Sequence, residues 1–142
     1  MPLALEDRLA VTELVALHGH LVDAGKLDLL DEVFTADVVH DLSDFGRGEV
    51  VGLAALTEAA LALGAGNPVA HHVTNVVVEE VSEGRVRARS KGLGVMANGS
   101  CGSVTYEDTV IRVGTAGWRI SHRRVVACRV PLNGLGQGPN AP

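Results

Sequence analysis

The stretch "GSVTYEDTVIRVGTAGWRISHRRVVACRV", residues 102–130, predicts two antiparallel strands joined by a turn. Val, Ile and Thr are frequent in both halves, and the segment from Gly114 to Gly117 separates them with turn-forming glycines. Two upstream stretches of similar character, residues 69–81 and 85–97, end at turn signals of their own. The second half of the chain therefore predicts a four-stranded antiparallel meander.

The first half of the chain predicts helices. Apolar residues recur at helical spacing over residues 5–24, and Gly25 follows as a C-terminal cap. A shorter helix is expected over residues 26–34, a strand over 37–42, and another helix over 53–64. Helices followed by a long curved meander make an α+β fold, in which the helices cover one face of the sheet.

Composition limits the class of protein and its partners. The chain has 142 residues, enough for a single domain, which we expect over residues 1–130 with a mobile Pro- and Gly-rich tail over 131–142. A net charge of −5 argues against a nucleic-acid partner. No apolar run approaches the roughly 20 residues that a membrane span needs. The acidic opening does not resemble a secretory signal, so we expect a cytoplasmic protein.

Two histidines lie on the first predicted helix, and they face different directions. At about 100° per residue, His18 falls at the centre of the apolar arc, and His20 lies about 200° away from it. Asp23 lies in the last turn, where a carboxylate can reach the mouth of a pocket. His18 is therefore either a core histidine with a satisfied hydrogen bond or a pocket residue.

The predicted strands carry further polar candidates. Side chains alternate between the faces of a strand, so only one of the adjacent residues His71 and His72 can enter a pocket. Tyr106 and Asp108 share one face of a later strand, and Arg124 lies on a largely apolar face of the last strand. Polar groups on apolar faces fit either a lined cavity or a dimer interface.

Metal and cofactor chemistry have little support in the sequence. His18 and His20 diverge on the helix, and His71 and His72 diverge on the strand, so neither pair chelates a metal. Cys101 and Cys128 fit no zinc spacing and are expected to be reduced and packed as small apolar residues. No P-loop, GxGxxG, GxSxG or HExxH motif occurs. We therefore expect no metal and no cofactor.

Three segments, residues 22–41, 71–81 and 105–125, resemble the SnoaL-like branch of the nuclear transport factor 2-like superfamily. The resemblance extends over about residues 5–130. It implies a cone-shaped α+β barrel, with N-terminal helices packed on a strongly curved, mostly antiparallel sheet. The superfamily includes polyketide cyclases, scytalone and bile-acid dehydratases, ketosteroid isomerases and limonene epoxide hydrolase, besides many members without catalysis.

The resemblance implies a catalytic set of His18, Asp23 and His71. The family carries a tyrosine five residues before an acidic residue on the first helix, and here that pair is His18 and Asp23, so an imidazole replaces the phenol. The strand histidine of the dehydratases corresponds to His71, four residues before Asn75, and is the expected main base or acid. Asp41 lies near the general-base carboxylate of the steroid isomerases.

The sequence thus predicts a cofactor-free lyase or isomerase that acts by general acid–base catalysis on an apolar polyketide- or steroid-like molecule. The residues expected to line its pocket are Asp41, Asn75, Tyr106, Asp108 and Arg124. Two other functions remain open: a non-catalytic binding module for an apolar ligand, and a structural dimerisation domain. A homodimer is expected in every case, because helices on one side of a sheet leave an apolar face exposed.

Overall fold

The computed structural model of the chain describes residues 2–136 and 138. The α-helices are α1 (Leu5–Asp23) and α2 (Leu53–Leu63), and short 3-10 helices occur at Leu27–Glu32, Ser43–Phe45, Gly64–Gly66 and Pro131–Gly134. The strands are β1 (Phe34–Asp41), β2 (Glu49–Val51), β3 (Ala70–Ser82), β4 (Arg85–Val95), β5 (Cys101–Val113) and β6 (Gly117–Cys128).

The strands form one curved, unclosed sheet in the order β2-β1-β6-β5-β4-β3. Strands β3 to β6 make the predicted antiparallel meander. Strand β1 lies parallel to β6 and pairs antiparallel with the short edge strand β2, which the sequence did not predict. The α+β fold, with helices packed on a curved and mostly antiparallel sheet, is confirmed.

The first helix ends one residue before its predicted end. Gly25 has a φ of +70°, and its backbone N–H donates to the carbonyl of Val22 at 3.0 Å. The next N–H, that of Lys26, donates to the carbonyl of Leu21 at 2.8 Å. These two bonds form a Schellman motif, which stops the helix immediately after Asp23. The motif therefore fixes the Asp23 carboxylate at the end of α1.

One face of α1 packs on the concave face of the sheet. Its buried side chains recur at steps of three and four residues: Val11, Leu14, Val15, His18 and Leu21. Gly19 is also buried, and a Cβ placed on it would lie 2.6 Å from the carbonyl oxygen of His71. The helix approaches β3 this closely because position 19 has no side chain.

Two β-bulges shift the alternation of inward and outward side chains. In β3, Asn75 has a φ of +58°, and the register with β4 shifts between Thr74 and Val77. In β6, Ser121 has no partner in the register with β5. The extra residue of a bulge moves all later side chains to the opposite face. Simple alternation therefore predicts the wrong face beyond each bulge.

The smaller predicted elements differ from the structure in detail. The short helix predicted over residues 26–34 is a 3-10 helix. The strand predicted over 37–42 begins three residues earlier, at Phe34. The second α-helix ends at Leu63, one residue before its predicted end, with Gly64 as its cap. The predicted boundaries of the later elements therefore differ from the structure by one to three residues.

The predicted mobile tail, residues 131–142, is described only in part. Pro131–Gly134 form a 3-10 turn, whereas residues 137 and 139–142 lie outside the described residues. In the part of the chain that the structure describes, no helix combines the length and the apolar character required to span a membrane.

Candidate active site

The end of α1 meets the start of β3 through Asp23 and His71. The imidazole Nδ1 of His71 lies 2.6 Å from Asp23 Oδ1, and the backbone N–H of His71 donates to Asp23 Oδ2 at 2.8 Å. A carboxylate accepts hydrogen bonds, so Nδ1 carries a proton, and in the neutral imidazole the lone pair is then on Nε2. The contact thus holds His71 in the tautomer whose free nitrogen can accept a proton.

A buried ion pair holds His18 in the opposite tautomer. Arg123 Nη1 lies 3.1 Å from His18 Nδ1, and since a guanidinium only donates, Nδ1 accepts and Nε2 carries the proton. Arg123 also donates to both carboxylate oxygens of Asp108, at 2.7 and 2.8 Å, with both side chains fully buried. Burial, and then the charge of Arg123, lower the pKa of His18 well below 6.5. His18 is therefore a neutral imidazole.

A largely apolar cavity of about 650 Å³ lies between the helices and the concave face of the sheet. His18 and His71 both contribute to its wall, and their ring centroids are 5.9 Å apart. The aliphatic lining includes Val22, Leu27, Leu30, Leu56, Leu63 and Val125. A molecule in this cavity can contact a proton-accepting imidazole and a proton-carrying one together.

Tyr106 lines the same cavity and stacks on the buried cation. The guanidinium carbon of Arg123 lies 4.2 Å from the centroid of the Tyr106 ring, and the His18 ring centroid lies 6.1 Å from it. Gly92 on β4 leaves room for this ring, because a Cβ at that position would overlap it. Burial raises the pKa of Tyr106 above its ordinary value of 10.0, so the phenol stays protonated and can donate a hydrogen bond.

Strand β1 adds a third imidazole to the cavity wall, that of His40. The residue is 7% exposed, and its Nδ1 has no hydrogen-bond partner among the described residues. Burial, followed by the charges of Arg123 and His122, lowers the pKa of His40 to about 3. No sequence argument singled out His40. The sequence nevertheless contained a signal for His40. It lies one residue before Asp41 in β1, so strand alternation points the two side chains to opposite faces of the sheet.

The helices, the curved sheet and the cavity agree with a family-level match. The profile of the SnoaL-like domain matches residues 3–124. The chain belongs to the SnoaL-like domain family. The resemblance inferred from sequence is thereby confirmed. Among curated proteins, none matches the chain.

Several solved structures share the fold of this SnoaL-like domain. A protein of Novosphingobium aromaticivorans assigned as an aromatic ring hydroxylase is 31% identical, with 90% of this chain and 93% of that chain covered and a TM-score of 0.75. A protein of the same organism assigned as a scytalone dehydratase is 19% identical, with 88% and 86% covered and a TM-score of 0.73. LinA is 23% identical, with 94% and 97% covered and a TM-score of 0.67.

Two residues predicted to line the pocket of the SnoaL-like domain are displaced from it by the bulges. Arg124 is exposed, because the bulge at Ser121 turns Arg123 inward in its place. Asn75 is exposed because it occupies the bulge in β3. Alternation along a single strand does not predict either bulge, because a bulge depends on the pairing with a neighbouring strand.

Two predicted carboxylates lie outside the cavity wall for other reasons. Asp41 folds back on its own turn, and its Oδ1 accepts bonds from the backbone N–H and the hydroxyl of Ser43, at 2.9 and 2.5 Å. Asp108 shares the inner face of β5 with Tyr106, as predicted. Its carboxylate is enclosed with Arg123, which satisfies both oxygens.

Helical periodicity correctly predicted that His18 faces inward and His20 outward, whereas strand alternation allowed only one of His71 and His72 to face inward and the family resemblance selected His71. His18 is buried and His71 half-buried at the cavity, while His20 and His72 are exposed. Alternation holds at His71 and His72 because both residues precede the bulge in β3, and the repeat of α1 holds because His18 and His20 lie within a regular helix.

The cysteines differ from the sequence expectation. Both Cys101 and Cys128 are free thiols, but both are exposed. Within residues 2–136 and 138, no group of three or more His, Cys, Asp or Glu side chains is arranged to hold a metal ion.

Proposed function

We propose that this SnoaL-like domain is a cofactor-free lyase or isomerase that transfers protons on an apolar small molecule. The observation that carries the proposal is the Asp23–His71 pair beside an apolar cavity. Asp23 orients the imidazole and stabilises the positive charge that His71 gains when it accepts a proton. A cavity within the range of about 300–1,000 Å³ suits a small molecule, and its apolar lining suits a polyketide- or steroid-like ring system.

The proposed reaction begins at Nε2 of His71. This nitrogen removes a proton from a carbon next to a carbonyl group, and the C–H electron pair moves into the carbonyl to form an enolate. Return of the proton to another carbon completes an isomerisation. In a dehydration, the enolate electron pair forms a C=C bond as the C–O bond at the β carbon breaks, and the proton held by His71 goes to the leaving hydroxyl group, which is released as water. A positioned base of this kind contributes about 10²–10⁴-fold to the rate.

The solved structure assigned as a scytalone dehydratase supports the dehydration branch of the proposal, since it shares the fold over most of this chain. Its likeness extends to the fold alone at 19% identity. The substrate therefore decides between dehydration, isomerisation and aldol-type cyclisation. All three begin with removal of a proton next to a carbonyl group, and this step can be tested alone.

Deuterium exchange into a cyclic ketone tests that step without the natural substrate. The protein is incubated with 2-tetralone in D₂O, and NMR follows the loss of the C–H signals next to the carbonyl. We expect faster exchange than with an equal concentration of free imidazole, and a decrease of about 10²–10⁴-fold in His71→Ala. His72→Ala is the matched control, because His72 is the adjacent histidine with an exposed side chain, and it should exchange at the wild-type rate.

Equal exchange by the wild type and His71→Ala would contradict the assignment of His71. Binding of the ketone without any catalysed exchange would instead favour a non-catalytic binding module for apolar ligands. In that case Asp23→Asn should leave the affinity for the ketone unchanged, because no proton has to be moved.

We further propose that the domain forms a homodimer through the outer face of the sheet. The helices cover the inner face, whereas Val77 and Leu93 are exposed on β3 and β4. Light scattering at micromolar protein concentration measures the oligomeric state directly, and a monomer would contradict the proposal.

A further inference from the structure

The Asp108–Arg123 pair is costly if it serves packing alone. Taking two charges out of water has a large desolvation cost, which their mutual attraction does not reliably recover. Both side chains are fully buried, and the pair lies directly behind the cavity wall, in contact with His18 and Tyr106. Proton transfer by Asp23 and His71 makes no use of it.

The third hydrogen bond of Arg123 limits what His18 can do. Because Arg123 occupies Nδ1 as a donor, His18 cannot take up a second proton without turning an N–H toward a guanidinium N–H. Within the described residues, Arg123 is the hydrogen-bond partner of this ring, which leaves Nε2–H for a molecule in the cavity. His18 is therefore suited to donate a hydrogen bond and unsuited to act as a base.

We propose that His18 binds an oxygen atom of the ligand as a neutral hydrogen-bond donor, and that Asp108 and Arg123 position it for this role. Tyr106 supplies a second neutral donor on the same wall. The ligand class that these donors select is a ring bearing a carbonyl or phenolic oxygen. This inference rests on the proposed function for the identity of the site and names the substrate feature that the site recognises.

The arrangement also suits the proposed chemistry. The His18 ring lies 5.9 Å from the His71 ring and 6.1 Å from the Tyr106 ring. A ligand oxygen held by His18 would therefore be near the base that acts on the neighbouring carbon. Donors that are already in place where negative charge develops stabilise an enolate without reorganising at the moment of reaction.

Binding of 4-nitrophenolate and nitrobenzene tests the donor role. The two probes share the ring and the nitro group, and only the first carries a phenolic oxygen. Isothermal titration calorimetry at pH 8.5, where the yellow phenolate form is present, gives both affinities. We expect the wild type to bind 4-nitrophenolate about tenfold or more tightly than nitrobenzene, the effect of a hydrogen bond to a charged acceptor.

Two substitutions of His18 separate donation from proton transfer. His18→Gln keeps a neutral N–H donor near the position of Nε2 but takes up no proton near neutral pH, so the preference for the phenolate should stay within about threefold of the wild type. His18→Leu removes the donor and should abolish the preference. His20→Leu, on the exposed face of α1, is the matched control and should behave as the wild type.

A preference retained by His18→Leu would overturn the proposal. A preference lost equally in His18→Gln and His18→Leu would overturn the neutral-donor role, since the imidazole itself would then be required. Tyr106→Phe provides a second test if the His18 variants fold poorly, because it keeps the ring against Arg123 and removes one donor. It should weaken phenolate binding several-fold, and unchanged binding would count against the shared oxygen site.

The positioning role of Arg123 has a spectroscopic signature. In ¹⁵N NMR, the wild type should show His18 with a protonated Nε2 and an unprotonated Nδ1. Arg123→Lys keeps the charge but loses the planar fork that reaches Asp108 and His18 together, so it should give a mixture of tautomers. An unchanged tautomer in Arg123→Lys would overturn the positioning role.

These results are distinguishable from those of the deuterium exchange. Loss of the donor role would leave exchange that depends on His71 intact. Absence of exchange would leave the probe affinities measurable.

Discussion

Two regions of the molecule connect a carboxylate to a cavity histidine, and they differ in burial. Asp23 contacts His71 directly, with side chains 27% and 16% exposed. Asp108 reaches His18 through Arg123, and neither member of that ion pair is exposed. The partly exposed pair can exchange a proton with a ligand, whereas the enclosed pair holds its charges fixed. Solvent exposure therefore distinguishes the pair that can transfer a proton from the pair that positions a histidine, which the residue types alone do not do.

Replacement of Arg123 tests the enclosed pair and has the largest expected effect on stability. Arg123→Met leaves the carboxylate of Asp108 buried without its cation, and we expect a loss of about 3–5 kcal/mol in the free energy of unfolding. Urea unfolding measures the change. The double variant Arg123→Met/Asp108→Leu should recover most of the loss, because well-packed apolar replacements of a buried ion pair are often neutral or stabilising.

Arg124→Met is the control for the enclosed pair. Arg124 is the adjacent residue of the same type, but it is exposed, so its replacement should change the free energy of unfolding by less than about 0.5 kcal/mol. Similar losses at both positions would contradict the bulge at Ser121, which assigns the two arginines to opposite faces.

The buried histidines should make stability depend on pH. The pKa of His40 is about 3 in the folded protein, below its ordinary value of 6.5, so the unfolded chain binds the proton more readily. Its contribution to stability is therefore fully present above pH 6.5 and is lost as the pH falls toward 3, at about 1.4 kcal/mol per pH unit. Urea unfolding at pH 7, 6 and 5 measures the slope.

A His40→Phe variant isolates this effect, because it keeps a ring beside Phe34 and removes the titrating group. We expect its slope between pH 6 and 5 to be smaller than that of the wild type by about 1.4 kcal/mol per pH unit. Part of the slope should remain, since burial also lowers the pKa of His18. Identical slopes for the two proteins would show that His40 is open to water.

Gly19→Ala tests the other region of the comparison and has the smallest expected effect on stability. The added Cβ would lie 2.6 Å from the carbonyl oxygen of His71, so α1 must move away from β3. Overpacking costs about 1–3 kcal/mol. The better helix propensity of alanine returns about 1 kcal/mol, so we expect a net loss of about 1 kcal/mol in urea unfolding. The rate of deuterium exchange into 2-tetralone should fall by a larger factor than the equilibrium constant for folding, because the Asp23–His71 contact lengthens.

Gly102→Ala is the matched control, since a Cβ at that position has no atom within 4 Å. It should change the free energy of unfolding by less than about 0.5 kcal/mol, and it serves as a control for stability alone because Gly102 also lines the cavity. A Gly19→Ala variant with wild-type exchange would mean that the close approach of α1 to β3 does not hold Asp23 against His71.

Much of the site could be predicted because its members obey local periodicity. His18 faces inward, as the 3.6-residue repeat of α1 predicts. Strand alternation allowed one of His71 and His72 to face inward, and the family resemblance selected His71. Alternation placed Tyr106 and Asp108 on one face, which the sequence assigned either to a cavity or to a dimer interface. The sequence placed Asp23 at a helix end that a glycine terminates, and the family resemblance assigned it to the site. Strand alternation also points His40 to the face opposite Asp41, but the family resemblance indicated the carboxylate of Asp41 and not the neighbouring imidazole.

The sequence by itself determined the two α-helices, the four-stranded meander, the α+β class and the inward direction of His18, because propensity, capping and periodicity act over a few neighbouring residues. Tertiary structure decided that Arg123, and not Arg124, enters the interior, and that Asp108 meets Arg123 instead of the cavity. It also decided which tautomers His18 and His71 adopt. These features depend on register between strands and on partners 15 to 105 residues apart in the chain, which local patterns do not encode.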